Sequence, residues 1–267
     1  MIQFNRNPDY AFQTAAVRDI GKYKSVKTFV LGKSHCGRCI YALQMGNPQR
    51  LRLICGGFHG MEYLTVMTVL RFAEECAKSP DLLGDVGVVL VPCVNPDGTE
   101  IAIKEGKRWQ ANARGVDINH NFDADWCNVK ARERAAGICE PAATRFGGCS
   151  PESEPETKAL TKLCRMVCFN RVLALHSQGR EIYWDFGNCT PPECRTLADA
   201  MAAVSGYKVA QPEPLATGGG FKDWFIQTFH RCGFTVEMGL GKNPLPLSDF
   251  ETEYPVVQKI LTEFINV

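Results

Sequence analysis

The sequence lacks a strong charge of either sign and has no long apolar run. Its 30 Lys and Arg residues nearly balance its 29 Asp and Glu residues, which leaves a net charge of +1. No overall field therefore draws the chain toward nucleic acid or anionic lipid. No segment approaches the roughly 18 apolar residues that a membrane-spanning helix needs. Neither nucleic acid nor a membrane is an expected partner.

The first residues, MIQFNRNPDY, also lack the basic end and the apolar stretch of a secretory signal. Thirteen cysteines would suit a secreted disulfide framework, but their odd number, the length of the chain and the missing signal favour mostly reduced thiols. We therefore expect a cytoplasmic protein, although a mature domain trimmed of its signal would look the same.

Several common catalytic motifs are missing. The glycine run at 218–220 is not followed by the Lys-Ser/Thr of a phosphate loop, and no G-x-S-x-G serine motif occurs. The C-x-x-C of Cys36 and Cys39 has no second pair, so an ordinary turn is favoured over a redox or metal role. A nucleotide hydrolase, a serine hydrolase of the elbow type and a zinc knuckle are therefore not indicated.

The 45% of residues that are apolar can form a substantial core within 267 residues. Short β-rich runs alternate with longer amphipathic segments, which predicts an α/β fold with a mixed, mostly parallel central sheet flanked by helices. Helices are predicted over 61–78 and from Ser153, where Glu156 fits a capping box. The polar stretch 95–149 is predicted to be a long loop. Because no repeat or linker interrupts the chain, we expect one catalytic domain over 1–267.

Two histidines and a glutamate have the character of a catalytic zinc site. His59 and Glu62 lie three residues apart where a predicted strand gives way to a helix, and His176 ends another β-rich run. Zinc accepts nitrogen and oxygen ligands, and three protein ligands leave a fourth position for water. The His-x-x-Glu spacing alone is common by chance, and a core histidine is the plain alternative for His176. Together they predict one zinc ion per chain.

Five segments in order resemble the zinc carboxypeptidase family: GGFHGMEYL, VNPDGTE, ARGVDINHNF, LALHSQG and FTVEMG. They extend from residue 56 to residue 239. Within the family the chain looks most similar to the bacterial branch that cleaves the γ-D-glutamyl to diaminopimelate bond of peptidoglycan peptides. The features that suggest this branch are HSQG followed by EIYW, and VEMGLGKNPLP.

The resemblance implies roles for two carboxylates. Glu237, in FTVEMG, would take a proton from the attacking water and return it to the leaving amine. Its apolar neighbours disfavour a solvated surface glutamate. Asp117 would accept the second ring N–H of His59 and so fix its tautomer. A turn-forming aspartate is the alternative for Asp117.

The expected carboxylate site departs from the family pattern. Asn119 matches a position that binds the substrate carboxylate, but the next residue, usually arginine in the carboxypeptidases, is His120. A neutral imidazole offers one donor where a guanidinium offers a charged fork. Recognition of a free C-terminal carboxylate should therefore be weaker, and an unusual substrate end is favoured.

Two further departures concern the reacting carbonyl. Gln110 stands where relatives have a basic residue that polarises this carbonyl, so Gln110, Arg108 and Arg114 remain three candidates for stabilising the oxyanion. The tyrosine that many relatives place before the Gly-Gly pair is Leu215 here. A phenolic donor from that loop is thus missing.

Lys222 falls where relatives set the floor of the pocket for the residue after the cut. A lysine there would prefer an anion such as the distal carboxylate of diaminopimelate, although a loop lysine often points to solvent. The resemblance thus implies an intracellular bacterial enzyme that recycles muropeptides. A conventional carboxypeptidase, an N-acyl amino acid deacylase and a non-catalytic muropeptide-binding protein are the alternatives. The sequence does not indicate an oligomeric state.

Overall fold

A central sheet of eight strands organises the chain, and the computed structural model describes residues 2–266. In chain order the strands are β1 Lys27–Lys33, β2 Cys39–Gly46, β3 Leu51–Cys55, β4 Gly87–Val91, β5 Arg171–His176, β6 Glu181–Tyr183, β7 Lys208–Val209 and β8 Cys232–Glu237. Their spatial order is β1-β2-β4-β3-β5-β8-β6-β7.

The middle of the sheet is parallel and is joined on each side through an antiparallel strand pair. Strands β4, β3, β5 and β8 run in one direction, whereas β2 opposes β4 and β6 opposes β8. Four of the seven strand pairs are parallel and three are antiparallel. The predicted mixed, mostly parallel α/β sheet is confirmed.

Eight α-helices accompany the sheet in the described part of the chain. They are α1 Tyr10–Ile20, α2 Tyr63–Lys78, α3 Pro96–Glu105, α4 Trp126–Ala135, α5 Pro155–Met166, α6 Glu193–Ser205, α7 Phe221–Phe229 and α8 Phe250–Asn266. One face of the sheet packs mainly against α1, α2, α6 and α8, and the other packs against α5 and α7. With both faces covered, β3, β4 and β5 are buried at every residue, as parallel strands usually are.

The stretch 95–149 is not the long loop that its polar composition suggested. It contains α3 and α4, and α3 has clear start signals: the side chain of Asn95 accepts a hydrogen bond from the N–H of Gly98 at 2.9 Å, and Pro96 occupies the first turn. The predicted capping box at Ser153 was also wrong. Glu154 is the N-terminal boundary residue of α5, and Glu156 instead accepts hydrogen bonds from His35 and Asn112.

Two further expectations concerned the oxidation state of the cysteines and the lack of a membrane-spanning helix. Eleven cysteines are free, as expected for a mostly reduced set, while Cys194 of α6 and Cys232 of β8 form a disulfide. Within residues 2–266, no helix combines the length and apolar character required to cross a bilayer.

Candidate active site

The carboxyl ends of β3, β5 and β8 meet at one edge of the sheet, where a cavity of about 560 Å³ opens. Open α/β sheets place their ligand sites at this edge. His176 is the last residue of β5 and pairs in register with Glu237, the last residue of β8. The sheet register therefore sets these two side chains beside each other.

The segment between β3 and α2 brings His59 and Glu62 to the same point. It packs so closely that a Cβ on Gly60 would lie 2.2 Å from the carbonyl oxygen of Gly98, so only glycine fits. Glu62 directly precedes α2, but its side chain makes no capping hydrogen bond. The carboxylate is instead directed toward the two histidines, which argues against a plain capping role.

His59, Glu62 and His176 form a compact group whose ligand atoms all lie within 4.8 Å of one another. The Nδ1 atoms of the two histidines are 3.3 Å apart, and the Glu62 oxygens lie 2.8 Å from His59 Nδ1 and 3.0 Å from His176 Nδ1. Ligands held at about 2.0–2.1 Å around a tetrahedral zinc are separated by roughly 3.3 Å. The three side chains therefore fit such an ion.

Two of these residues have pKa shifts that favour the protonation states needed for metal binding. Burial would raise the pKa of Glu62, but His59 and His176 outweigh it and lower that pKa to about 2. Burial lowers the pKa of His176, which favours its neutral ring. Burial opposes a charged His59, yet Glu62 and Asp117 raise its pKa well above the usual value. Zinc binding must therefore displace a proton from His59.

Asp117 lies where the resemblance placed it. Its Oδ1 accepts a hydrogen bond from Nε2 of His59 at 3.1 Å, which leaves Nδ1 facing Glu62 and His176. Burial alone would raise the pKa of Asp117, but His59 lowers it far below the usual range. An ionised, buried acceptor of this kind fixes the orientation of the imidazole.

Glu237 lines the cavity beside this group and is mostly buried. Burial, reinforced by the nearby charge of Glu62, raises the pKa of Glu237 well above its ordinary value. Across the β6–β8 pair its register partner is Glu181, whose carboxylate accepts a hydrogen bond from the hydroxyl of Tyr183 at 2.7 Å. Glu237 is therefore a carboxyl group whose affinity for protons exceeds that of a surface glutamate, as a proton-transfer group requires.

The predicted carboxylate-binding pair also lines the cavity. Asn119 Oδ1 accepts a hydrogen bond from the N–H of Phe221 at 3.0 Å, and its amide nitrogen has no protein partner within residues 2–266. His120 is buried, and its Nδ1 lies 3.1 Å from Oε1 of Glu133. Each residue therefore retains one polar nitrogen that is not committed to the protein.

The three candidates for oxyanion stabilisation are not equally placed. Arg108 and Gln110 line the cavity, whereas Arg114 does not and its guanidinium lies 3.8 Å from the Glu154 carboxylate. Gln110 Oε1 accepts a hydrogen bond from the Thr144 hydroxyl. This contact leaves the NH₂ group of Gln110 as the available donor.

Lys222 is a buried residue of the cavity wall and does not point to solvent. Its ammonium donates to the carbonyl of Asp185 at 2.6 Å and to the carboxylate of Asp223. The second oxygen of Asp223 accepts from the N–H of Gly218 at 2.7 Å. An ammonium has three donors, so one remains after these two contacts.

The sequence reasoning missed several residues at this site. Arg145 and Glu213 line the cavity and form an ion pair, Tyr183 supplies a phenol although position 215 is leucine, and Asn243 reaches the metal group. Asn243 Nδ2 lies 3.4 Å from Oε1 of Glu62 and 2.6 Å from the carbonyl oxygen of Ser177. Tyr183 and Asn243 lay within segments of recognised resemblance, EIYW and VEMGLGKNPLP, and so had a usable signal, whereas Arg145 and Glu213 had none.

The sequence of this chain matches known zinc peptidases. The family model described as zinc carboxypeptidase matches residues 17–256. Among curated proteins, gamma-D-glutamyl-L-diamino acid endopeptidase 1 of Lysinibacillus sphaericus is 32% identical, over 95% of this chain and 71% of that protein.

Two solved structures have the same fold. Bovine thrombin-activatable fibrinolysis inhibitor superposes with a TM-score of 0.82 at 20% identity, over 98% of this chain and 97% of the other. The murein-tripeptide amidase of Escherichia coli O157 superposes with a TM-score of 0.64 at 24% identity, over 92% and 95%.

Proposed function

The chain belongs to the zinc carboxypeptidase family and is a zinc peptidase, and from this premise we propose that it hydrolyses the γ-D-glutamyl to meso-diaminopimelate amide of peptidoglycan-derived peptides. A relative with 32% identity over 95% of the chain is named for cleavage between γ-D-glutamate and a diamino acid. This similarity supports the substrate class.

The observation that carries the proposal is the buried Lys222–Asp223 pair in the cavity wall. The distal end of meso-diaminopimelate is a zwitterion, with an ammonium and a carboxylate on one carbon. Lys222 has one free donor for that carboxylate, and Asp223 supplies the opposite charge next to it. A wall with both charges suits this end better than it suits an apolar or singly charged side chain.

We assign the metal to His59, Glu62 and His176, with Asp117 and Asn243 orienting two of these ligands. Zinc held there supplies Lewis acidity toward the water and the scissile carbonyl. Glu237 accepts a proton from the attacking water and then donates it to the leaving amine of diaminopimelate. Its raised pKa suits both transfers, because the carboxyl group must gain and lose a proton in each cycle.

The developing negative charge on the carbonyl oxygen needs a donor from the cavity wall. The NH₂ group of Gln110 and the guanidinium of Arg108 are both in place, and we assign the role to this pair without Arg114. Asn119 offers its amide NH₂ group to the carboxylate beside the cut bond, whereas His120 directs Nδ1 at the Glu133 carboxylate and has no guanidinium to offer. The carboxylate site thus lacks a cation at position 120.

The setting we propose is recycling of muropeptide fragments in a bacterial cytoplasm. Eleven free cysteines among thirteen are consistent with a reducing compartment, while the Cys194–Cys232 bridge is the one feature that favours an oxidising one. Measuring the free thiols of protein purified without reductant from its own host would decide between the two.

The test of the reaction is a substrate panel with the zinc-loaded protein. L-Ala-γ-D-Glu-meso-diaminopimelate should be split into L-Ala-D-Glu and free diaminopimelate. The analogue ending in lysine should be split at less than about a tenth of that rate, since losing a charge-assisted hydrogen bond costs roughly 1.5–3 kcal/mol. The α-linked isomer should be split more slowly than the γ-linked peptide. Equal or faster hydrolysis of the α-linked peptide would contradict the proposal.

A second candidate is a carboxypeptidase that prefers acidic C-terminal residues, which the ammonium of Lys222 in the cavity wall also favours. The two differ in the bond that they accept. If peptides ending in α-linked glutamate were cleaved faster than the γ-linked tripeptide, this second activity would replace the first. N-acyl amino acids belong in the same panel, since their cleavage would indicate a deacylase.

A further inference from the structure

Arg145 reaches the cavity from the loop that follows α4, and its backbone is held against the metal site. The N–H of Arg145 donates to Oδ2 of Asp117 at 3.0 Å, and the N–H of Asp117 donates to the carbonyl of Phe146 at 2.8 Å. Arg145 has φ of +64°, a left-handed conformation that residues other than glycine rarely adopt. The same aspartate therefore holds both His59 and the backbone of Arg145.

The guanidinium of Arg145 is only partly satisfied. Nη2 pairs with the carboxylate of Glu213, whereas Nη1 is buried and has no hydrogen-bond partner in the part of the chain that the structure describes. A buried donor without an acceptor destabilises the state that contains it. A planar guanidinium that lines a cavity with a spare N–H suits a carboxylate bound through two parallel hydrogen bonds.

The partner of Arg145 is easily replaced. The side chain of Glu213 is 61% exposed and belongs to the short segment between β7 and α7. Ion pairs with so exposed a carboxylate stabilise a protein little. A substrate carboxylate enclosed in the cavity would interact more strongly, since fewer water molecules compete for it.

A carboxylate is expected beside Arg145 because the neighbouring turn carries Asn119 and His120. Position 120 has no guanidinium, and His120 uses Nδ1 on Glu133. Because Phe146 and Asp117 are hydrogen-bonded neighbours, the Arg145 loop runs alongside this turn and lines the same cavity. Arg145 can thus supply the cation that position 120 lacks.

We propose that Arg145 binds the carboxylate of the residue that follows the cut bond, and that Glu213 occupies Arg145 until this carboxylate replaces it. The proposal rests on the proposed function for the identity of the substrate. It also applies to any peptide with a free carboxylate next to the cut bond.

The experiment compares Arg145→Gln with Glu213→Gln on the tripeptide. Loss of the guanidinium should raise KM roughly 10- to 150-fold, because this is the affinity that one charge-assisted hydrogen bond contributes. The kcat should change by less than about threefold. Loss of Glu213 should lower KM, because the competing carboxylate is gone. If the ion pair only fastened two loops together, both variants would shift KM in the same direction, and the proposal would be wrong.

Two modified substrates identify the carboxylate. Converting the carboxylate next to the cut bond into a carboxamide should abolish the effect of both variants on KM. If the effect vanished instead when the D-glutamyl α-carboxylate was amidated, Arg145 would bind the residue before the cut bond and the proposal would fail. A kcat loss that is equal on all substrates would likewise overturn it in favour of oxyanion stabilisation.

Two controls distinguish failure of this proposal from a folding defect and from failure of the proposed function. Arg145→Lys keeps the positive charge but not the planar guanidinium, so its KM should lie between those of wild type and Arg145→Gln. The melting temperatures of all variants are compared with wild type to detect a folding defect. If wild type cleaved only α-linked peptides, the proposed function would fail. The same comparison of variants, on such a peptide and its C-terminal amide, would still test Arg145.

Discussion

The two sides of the cavity are built in different ways. His59, Glu62, His176 and Glu237, here called the strand-end group, lie at or just after the ends of β3, β5 and β8. The opposite side, here called the loop wall, comes from irregular segments or helix starts and consists of Gln110, Arg145, Glu213, Lys222 and Asp223. Sheet register positions His176 and Glu237, and the tightly packed turn between β3 and α2 positions His59 and Glu62. Contacts between loops position the second set.

This difference separates chemistry from substrate choice. A reaction needs ligands and a proton-transfer group within a fraction of an ångström, which buried parallel strands can maintain. Loops tolerate replacement, so His120, Leu215 and Lys222 can depart from the family pattern without disturbing the metal site. Variants of the strand-end group should therefore affect every substrate alike, as should loss of Gln110 beside the reacting carbonyl, whereas variants of the other loop-wall residues should change which substrate is preferred.

The largest effect is expected from Glu237→Gln. An amide cannot accept the proton of the attacking water, and loss of a proton-transfer group costs roughly 10²- to 10⁴-fold in kcat. The loss should be the same for every substrate, while zinc content and melting temperature stay near wild type. Glu181→Gln is the matched control, since it removes the same charge from the register partner. If Glu237→Gln kept more than a tenth of the activity, Glu237 would not be the base.

Lys222→Ala should act on one substrate only. Removing its ammonium should lower kcat/KM for the diaminopimelate tripeptide by about 1.5–3 kcal/mol, roughly 10- to 150-fold, and leave the lysine analogue nearly unchanged. Lys242→Ala removes another cavity lysine and serves as the control. Because Lys222 also pairs with Asp223, the melting temperature must be followed. Equal losses of kcat/KM on both substrates would show that Lys222 maintains the structure of the cavity and does not bind the distal carboxylate.

Asp117→Asn should weaken zinc binding by about 10- to 100-fold, the usual cost of losing an outer partner of a metal-bound histidine. The amide can still accept from Nε2 of His59 but carries no charge. Competition with a chelator measures the affinity. With saturating zinc, the ranking of substrates should match wild type. A changed ranking would show that Asp117 also shapes the loop wall, through its bond to Arg145.

Asn243→Ala should have the smallest effect. Its hydrogen bond to Glu62 is long, 3.4 Å, and a typical hydrogen bond contributes about 0.5–1.5 kcal/mol, so zinc affinity should fall by roughly tenfold at most. Asn243→Asp gives a like-charge contact with Glu62 and should weaken binding more. If both variants bound zinc as wild type does, Asn243 would not orient Glu62.

Sequence reasoning was most reliable where side chains follow directly from strands. The runs RVLALHS and FTVEMG predicted buried strands, and their last residues, His176 and Glu237, then had to meet at one edge of a parallel sheet. The same logic failed for 95–149, because polar composition outweighed the Asn95 and Pro96 signals that start α3. Element type therefore followed from periodicity only where the apolar pattern was strong.

The loop wall could not be predicted, for a physical reason. Arg145 meets Asp117 across 28 residues and Glu213 across 68, and no local spacing encodes either contact. The resemblance predicted that Lys222 contributes to the substrate pocket, but its hydrogen bond to the carbonyl of Asp185 depends on how α7 packs beside another loop. Long-range pairings of this kind appear only once the chain is folded.

The most direct test of the account is a zinc titration of metal-free protein with the tripeptide as substrate and mass spectrometry as the readout. The account predicts no product without metal and a linear rise in free diaminopimelate up to one equivalent of zinc. It also predicts no cleavage of the L-Ala–D-Glu bond in the same molecule. Product formed without zinc, or release of alanine in place of diaminopimelate, would contradict it.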